Sequence, residues 1–151
     1  MKEKYIDTYM KVAHLFAEHS SAKRKKVGAV IVKDDRIISI GYNGMPAGWD
    51  NDCEVETIEI YSGHEGVVQR TTLKTKSEVL HAESNAIAKL ARSTESGEGA
   101  TMFITCAPCI ECAKLIYQAG IKEVFYDEEY RSDEGVKFLN KCKDMIVWKN
   151  P

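Results

Sequence analysis

Apolar side chains recur at steps of three and four over residues 6–17, which predicts one amphipathic helix. The stripe consists of Ile6, Tyr9, Met10, Ala13, Phe16 and Ala17. A β-branched run follows at 27–32, and a second strand-like segment occupies 36–42. Asp34 and Asp35 provide a turn between these two segments, so they are predicted to form a β-hairpin. Glycine and proline at 43–48 end the hairpin.

Residues 49–77 show no sustained hydrophobic period. A long irregular insertion inside a compact domain is usually a lid, a binding loop or an oligomer contact. The sequence therefore predicts an irregular segment here and leaves these three functions open.

The rest of the chain alternates helical and strand patterns. The patterns predict a helix from His81 to Arg92, a strand at 101–105, a helix from Pro108 to about Ala119, a strand at 122–126, a helix capped by Ser132 and ending at Lys141, and a strand at 145–148. The order α-β-β-α-β-α-β-α-β indicates an α/β protein with a layered sheet and helices on its faces. Because no repeat or long linker divides the chain, residues 1–151 are predicted to form a single domain.

Composition excludes several classes of protein. With 151 residues and 44% hydrophobic side chains, the chain can bury a sizeable core. No apolar run approaches the roughly 20 residues of a membrane span, and residues 1–7 lack the apolar stretch of a secretory signal. The 21 basic and 23 acidic residues give a net charge of -2, which argues against a protein that coats duplex nucleic acid. A small anionic substrate held by a local basic cluster stays compatible with this balance.

The cysteines favour a metal site over disulfides. There are five, an odd number, and three of them lie within seven residues of one another. Without an export signal, this pattern suits a reducing compartment, and we expect a cytoplasmic location. Cys53 and Cys142 stand apart from the group and are predicted to be small buried apolar residues.

Two short motifs carry the chemistry. The first is His-Ala-Glu at 81–83, and the second is Pro-Cys-Ile-Glu-Cys at 108–112. Cys109 and Cys112 lie one helical turn apart, so their two thiolates can bind the same metal ion. His81 and Cys109 are both predicted in the first turn of a helix, where the helix dipole favours the thiolate form. One imidazole and two thiolates balance the charge of Zn²⁺ and leave one tetrahedral position open for water.

An open position of this kind is typical of catalytic zinc. Zinc lowers the pKa of bound water from about 15.7 to about 7. Glu83 lies in the same turn as His81, so it can accept the water proton and return it to a ring nitrogen and a leaving amine. Cys106 precedes Cys109 by three residues and competes as a ligand, but it is predicted to end a strand and to be a packed thiol.

Neither motif is specific by itself. A lone C-x-x-C on a helix also fits a redox pair or half of a structural zinc site. H-x-E followed by P-C-x-x-C, each opening a helix, matches the signature of zinc-dependent nucleobase deaminases.

The chain resembles the cytidine deaminase superfamily, and within it the deoxycytidylate (dCMP) deaminases, including those of viral type. The segments that carry this resemblance are residues 27–32, 41–48, 81–87, 108–116 and 118–124. The resemblance implies a three-layer α-β-α fold with a five-stranded mixed sheet and helices on both faces.

The same resemblance implies zinc-dependent hydrolysis of dCMP to dUMP and ammonia, which supplies thymidylate synthesis. It places zinc on His81, Cys109 and Cys112 and the proton shuttle on Glu83. It places the substrate against Asn43, which would bind the sugar, and against Ala82, Ala107 and Tyr130. A surface aromatic at an interface remains an alternative for Tyr130.

The resemblance further implies a homohexamer that dCTP activates and dTTP inhibits, with magnesium accompanying the triphosphate. Their site would be formed near Gly41, Tyr42, Gly44 and Met45 at a subunit interface. Some members carry a second, structural zinc in the insertion, but here that segment offers only Cys53 and His64 as good ligands. We therefore expect a single zinc ion.

The basic run 23–26 has two interpretations. It is either a solvated face or a clamp in which Arg24 and Lys26 bind the 5′-phosphate through charge-assisted hydrogen bonds. The alternatives to a nucleotide deaminase are a deaminase acting on a nucleoside, a nucleic acid or a riboflavin precursor, and a non-catalytic zinc module. The near-neutral charge weakens the nucleic-acid option, and 151 residues leave no room for the reductase domain of a bifunctional riboflavin enzyme. Glu83 discriminates against a zinc module, which has no use for a carboxylate beside an open zinc position.

Overall fold

The computed structural model describes all 151 residues, which form four helices and seven strands. The helices are α1 (Glu3–Ala17), α2 (Ala82–Ala91), α3 (Ile110–Gln118) and α4 (Glu134–Lys141). The strands are β1 (Gly28–Lys33), β2 (Arg36–Tyr42), β3 (Glu54–Gly63), β4 (Gly66–Thr75), β5 (Thr101–Cys106), β6 (Glu123–Glu128) and β7 (Ile146–Lys149). None of the helices combines the length and the apolar character that crossing a membrane requires.

Five of the strands form one mixed sheet in the order β2-β1-β5-β6-β7. β1 pairs antiparallel with β2 and β5, whereas β5, β6 and β7 run parallel to one another. The β1–β2 turn contains Asp34 and Asp35 with φ values of 50° and 57°. Two residues at positive φ are typical of the tight turns whose twist matches a hairpin. The predicted hairpin and the five-stranded mixed sheet are confirmed.

Helices cover both faces of this sheet. On one face, α1 packs with Met10 and Ala13 against alternate side chains of the central strands, including Val30 and Phe103. On the other face, α2, α3 and α4 surround the neighbouring side chains, among them Ile31. Successive strand residues point to opposite faces, so the apolar runs in β1 and β5 are buried on both sides. The predicted three-layer α-β-α arrangement is confirmed.

The segment 49–77 is not irregular, and that prediction is wrong. β3 and β4 pair antiparallel over ten residues each, from Glu54–Thr75 at the base to Gly63–Gly66 at the tip. Nine of the ten residues of β3 are exposed. Because neither face of this hairpin is buried within the chain, its side chains show no clean alternation of apolar and polar residues.

Three predicted helix starts are displaced by one or two residues. His81 and Cys109 are the N-cap residues of α2 and α3, not members of their first turns. For α4, Asp133 occupies the N-cap position, while the Ser132 hydroxyl accepts a hydrogen bond from the backbone N–H of Glu134 at 3.3 Å. His81 and Cys109, which are predicted to bind the metal, therefore lie at the N-terminal ends of α2 and α3.

Candidate active site

One end of the sheet encloses a cavity of about 380 Å³. It lies where β1 begins and where β2, β5 and β6 end, and Val27, Asn43, Ala107 and Glu129 mark these four places. In sheets with parallel strands, ligands bind outside the carboxyl ends of the strands. Because β1 runs antiparallel to β5, its amino end faces the same cavity.

His81, Cys109 and Cys112 converge beside the cavity, which the first two line, and their ligand atoms all lie within 4.8 Å of one another. The Nδ1 atom of His81 lies 3.6 Å from the Sγ of Cys109 and 3.3 Å from the Sγ of Cys112. A tetrahedral zinc with ordinary Zn–S and Zn–N bonds holds nitrogen and sulfur about 3.6 Å apart. The donor set and its spacing therefore fit zinc. Cys106 is not part of this cluster.

The start of α3 prepares the sulfur ligands. Cys109 caps the helix, and its Sγ accepts a hydrogen bond from the backbone N–H of Cys112 at 3.4 Å. Hydrogen bonds from the Cys112 side chain, from His81 and from this backbone N–H lower the pKa of the Cys109 thiol to about 4. The hydrogen bond with Cys109 and burial raise the pKa of Cys112. A coordinated divalent cation deprotonates a thiol outright, so both sulfurs are suited to bind it as thiolates.

His81 is held in place through its neighbours. The backbones of Leu80 and Gly44 form a reciprocal pair of hydrogen bonds at 2.8 and 3.1 Å. Gly41 allows β2 and α2 to approach closely, because a Cβ there would lie 2.2 Å from the carbonyl oxygen of Ala82. The loop after β2 thus fixes the residue before the histidine ligand.

Glu83 supplies a buried carboxyl beside this cluster. It is 4% exposed and lines the cavity together with His81 and Cys109. Loss of hydration on burial raises the pKa of this carboxyl to about 7. A carboxyl with a pKa near neutrality both accepts and donates protons readily at neutral pH.

Cationic side chains also line the cavity. Arg24, Lys25 and Arg131 all contribute to its wall. The Nη1 of Arg24 donates a hydrogen bond to Thr75 at 3.2 Å, and the Nζ of Lys25 lies 2.6 Å from Glu128. Lys26, predicted to share in this clamp, is not among the residues that line the cavity, whereas its neighbour Lys25 is.

Asn43 lines the cavity, but its side chain also has local partners. Its Oδ1 accepts a hydrogen bond from the backbone N–H of Val27 at 2.8 Å, and its Nδ2 donates one to the carbonyl of Lys25 at 2.9 Å. These two bonds hold the end of β2 against the approach to β1. An asparagine amide retains one further N–H and one acceptor lone pair for a ligand.

The other residues predicted to contact substrate line the cavity, whereas those predicted to bind an effector lie outside it. Ala82, Ala107 and Tyr130 line the cavity. The residues predicted to bind an effector do not line it; they are Gly41, Tyr42, Gly44 and Met45. Cys106 is a buried thiol, as predicted, and also borders the cavity.

Sequence reasoning missed several residues of the wall. Glu54 and Thr75 come from the base of the β3–β4 hairpin, whose strands showed no period. The β-branched residues of 57–72 are the signal that could have revealed these strands. Cys53 precedes the base of the hairpin, while His64 lies in its tip, at the other end of a ten-residue strand. That strand spans about 33 Å, so the two side chains cannot share an ion.

Comparisons with known proteins agree with this geometry. Residues 3–128 match the family described as the cytidine and deoxycytidylate deaminase zinc-binding region. The deoxycytidylate deaminase of Enterobacteria phage T4 is 40% identical over 95% of this chain and 94% of its own length. The human deoxycytidylate deaminase is 35% identical over 92% of this chain and 82% of its own. The dCMP deaminase of cyanophage S-TIM5, solved with dCMP and dUMP, superposes with a TM-score of 0.85 at 40% identity and covers 99% of both chains.

Proposed function

The chain belongs to the cytidine and deoxycytidylate deaminase family, and on that premise we propose that it hydrolyses dCMP to dUMP and ammonia. The observation that carries the proposal is a cavity lined by His81 and Cys109 of the His81–Cys109–Cys112 cluster, by buried Glu83 and by three cationic side chains. A nucleoside monophosphate has the matching chemistry, because it has a reactive base at one end and a dianionic phosphate at the other. The relative from cyanophage S-TIM5 was solved with both dCMP and dUMP.

His81, Cys109 and Cys112 are proposed to hold one zinc ion. When bound there, zinc supplies Lewis-acid chemistry that lowers the pKa of water to about 7. The helix N-termini at Cys109 and His81 help hold the sulfurs as thiolates, since the positive end of the helix dipole favours negative charge.

Glu83 is proposed to move the protons of the reaction. Its carboxylate accepts a proton from the attacking water and delivers it to the ring nitrogen of cytosine. A second proton passes by the same carboxyl to the amine, which leaves as ammonia. The carboxyl is suited to this role because it is buried, at 4% exposure, and lines the cavity beside His81 and Cys109. The sum is dCMP plus water giving dUMP plus ammonia, with no change of oxidation state.

The remaining cavity residues are proposed to position the nucleotide. Arg24, Lys25 and Arg131 bind the 5′-phosphate, and an arginine can do so through two parallel hydrogen bonds. Asn43 and Tyr130 border the sugar, and Ala82 and Ala107 border the base. Lys26, the other residue predicted for this clamp, does not line the cavity.

Ammonia release from a panel of substrates tests the proposal. The zinc-loaded protein is incubated with dCMP, deoxycytidine and single-stranded DNA under the same conditions. We expect rapid turnover of dCMP and a kcat/KM at least about 100-fold lower for deoxycytidine, since phosphate contacts from several cations are lost. Equal activity on dCMP and deoxycytidine would remove the phosphate clamp. Preference for DNA would replace the proposed substrate class.

We also propose that the chain acts as a homo-oligomer, with a hexamer expected from the family resemblance. The exposed β3–β4 hairpin supports an assembly. A two-stranded hairpin is marginally stable alone, and this one exposes apolar side chains, including Ile58, Ile60, Val67 and Val68. A second copy of the chain is the proposed cover, because the acidic side chains lie on β3 and the basic ones on β4. In a two-fold symmetric dimer, β3 of one copy can lie against β4 of the other, so that acidic side chains meet basic ones.

Regulation is the last part of the proposal. Activation by dCTP and inhibition by dTTP with Mg²⁺ are proposed from the resemblance alone, near Gly41, Tyr42, Gly44 and Met45. Sigmoidal dCMP kinetics that dCTP renders hyperbolic support this part, and hyperbolic kinetics unaffected by either triphosphate remove it. The whole chain is proposed to act as one domain. We propose that it works in a reducing compartment such as the cytoplasm, because its five cysteines are all free and its product dUMP would supply thymidylate synthesis.

A further inference from the structure

One buried polar atom in the wall of the cavity has no hydrogen-bond partner. Glu54, the first residue of β3, lines the cavity and is only 8% exposed. Its Oε1 atom accepts hydrogen bonds from the backbone N–H groups of Lys23 and Arg24, at 2.8 and 3.1 Å. Its Oε2 atom is buried and accepts none.

An unpaired carboxylate oxygen in this setting is costly, because it has lost its hydration without gaining a protein donor. Buried polar groups in folded proteins nearly always have a partner, so an orphaned one at the wall of a functional cavity indicates a donor from the ligand. The torsion that orients a carboxylate is broad, so Oε2 can turn toward a donor that enters the cavity.

The chemistry of the substrate identifies that donor. At neutral pH, dCMP has strong hydrogen-bond donors in two places, the exocyclic amine of the base and the 3′-hydroxyl of the deoxyribose. The amine leaves in the reaction and belongs beside Glu83. Glu54 instead binds the backbone of Arg24, whose side chain is proposed to hold the phosphate. The deoxyribose, which carries the 3′-hydroxyl, joins the base to the phosphate, so this hydroxyl is left as the partner for Glu54.

We therefore propose that Glu54 binds the 3′-hydroxyl of the deoxyribose through Oε2, while Oε1 orders the backbone of Lys23 and Arg24. This inference rests on the proposed function. It gives the base of the β3–β4 hairpin a direct part in substrate binding. It also predicts that nucleotides without a 3′-hydroxyl are poor substrates.

A purely structural role would give Glu54 only the task of ordering residues 23–24. The two roles differ in one measurable quantity, the ratio of kcat/KM for dCMP to kcat/KM for 2′,3′-dideoxycytidine monophosphate. A structural defect slows both substrates equally and leaves this ratio unchanged. Loss of a contact with the 3′-hydroxyl slows dCMP alone and collapses the ratio toward one.

The experiment compares the zinc-loaded wild type with Glu54→Ala and Glu54→Gln, and with Glu56→Gln as the control. Glu56 lies two residues along the same strand face and is exposed. The wild-type ratio should be about 10 to 100, the range expected for one hydrogen bond to a charged acceptor. It should fall to about 1–3 in Glu54→Ala, fall partway in Glu54→Gln, which keeps the acceptor for Lys23 and Arg24, and stay unchanged in Glu56→Gln.

The outcomes separate the inference from the function on which it rests. If dCMP is deaminated but the wild type shows no preference over the dideoxy nucleotide, the contact does not exist. If the preference persists in both Glu54 variants, Glu54 is structural. If the wild type deaminates neither nucleotide, the proposed function fails, and this inference fails with it. Should Glu54→Ala not fold, the ratio in Glu54→Gln decides.

Discussion

At the residue scale, the site depends on side chains that serve the backbone and the reaction together. Cys109 caps α3 through its sulfur and offers the same sulfur to a metal. Asn43 fixes the approach to β1 and borders the cavity. Because these local bonds position the groups before any ligand binds, the arrangement requires little reorganisation on binding.

Glu83 is the residue whose replacement separates chemistry from structure. Glu83→Gln keeps the size of the side chain, so the fold and the zinc content should be unchanged. Turnover of dCMP should fall at least about 100-fold, because the proton carrier is lost. Zinc analysis, circular dichroism and ammonia release test this together. Near-normal turnover with full zinc content would remove the proton-shuttle role.

The basic run 23–26 supplies a matched set of variants. Arg24→Ala and Lys25→Ala should each lower kcat/KM for dCMP about tenfold or more, since each removes a charge-assisted bond to phosphate. Lys26→Ala should change it less than about twofold, because Lys26 does not line the cavity. Steady-state kinetics on dCMP measure all three. A larger effect from Lys26 than from Lys25 would restore the assignment made from the sequence.

Residue types at the metal cluster could be predicted from the sequence, but cavity-facing positions in the basic run could not. His81, Cys109 and Cys112 belong to short motifs at helix starts, where spacing dictates proximity. Lys25 and Lys26 are adjacent members of an irregular segment without a period. Which of them faces inward depends on the bonds that Asn43 and Glu54 make to that backbone.

At the element scale, the N-terminal ends of α2 and α3 meet at the end of the sheet where β2 and β5 also end. The loop after β2 reaches back to Leu80 and so fixes where α2 begins. The β5–α3 connection is fixed from the other side by α4. Gly135 in α4 lies against it so closely that a Cβ would be 2.0 Å from the carbonyl oxygen of Pro108.

Gly135→Ala tests this support for the sulfur ligands. A methyl group there must push Pro108 and Cys109 away, which should cost about 1–3 kcal/mol of stability and weaken zinc binding. Urea unfolding and competition for zinc with a chelator measure the two effects. Gly63→Ala is the control, because a Cβ at that position meets nothing within 4 Å. Equal behaviour of the two variants would contradict the close packing.

Helices and strands that bury one or both of their faces could be predicted from the sequence, whereas the exposed β3–β4 hairpin could not. The stripe of α1 and the runs of β1 and β5 follow from burial against the sheet. The strands at 54–75 have no buried face within the chain, so burial imposed no pattern on their sequence. Only the β-branched content and the glycine-containing turn at 63–66 indicated strands.

At the scale of the whole molecule, the sheet gathers residues that are far apart in sequence. Residues from the approach to β1, from the loop after β2, from α2 and from the ends of β5 and β6 meet around one cavity. The predicted order of strands and helices sufficed for this layered arrangement. The hairpin adds a part of the cavity wall that the order alone did not contain.

The exposed hairpin leads to a prediction about assembly. Ile60 and Val67 lie on one face of it and are 70% and 72% exposed. The double variant Ile60→Asp with Val67→Asp should lower the mass of the assembly, because it places charge in the proposed contact. Light scattering after gel filtration measures the mass. Leu15→Asp on α1, also an exposed apolar residue, should leave it unchanged. A wild type that is already a monomer would contradict the proposal.

The proposed chemistry depends on a zinc ion with three protein ligands and a fourth position left to solvent. X-ray absorption at the zinc edge of the metal-loaded protein reports these four neighbours without reference to activity. We expect two sulfur neighbours at about 2.3 Å, with one nitrogen and one oxygen at about 2.0–2.1 Å. A third sulfur, or the outer-shell scattering of a second imidazole, would mean a closed site with no place for the attacking water.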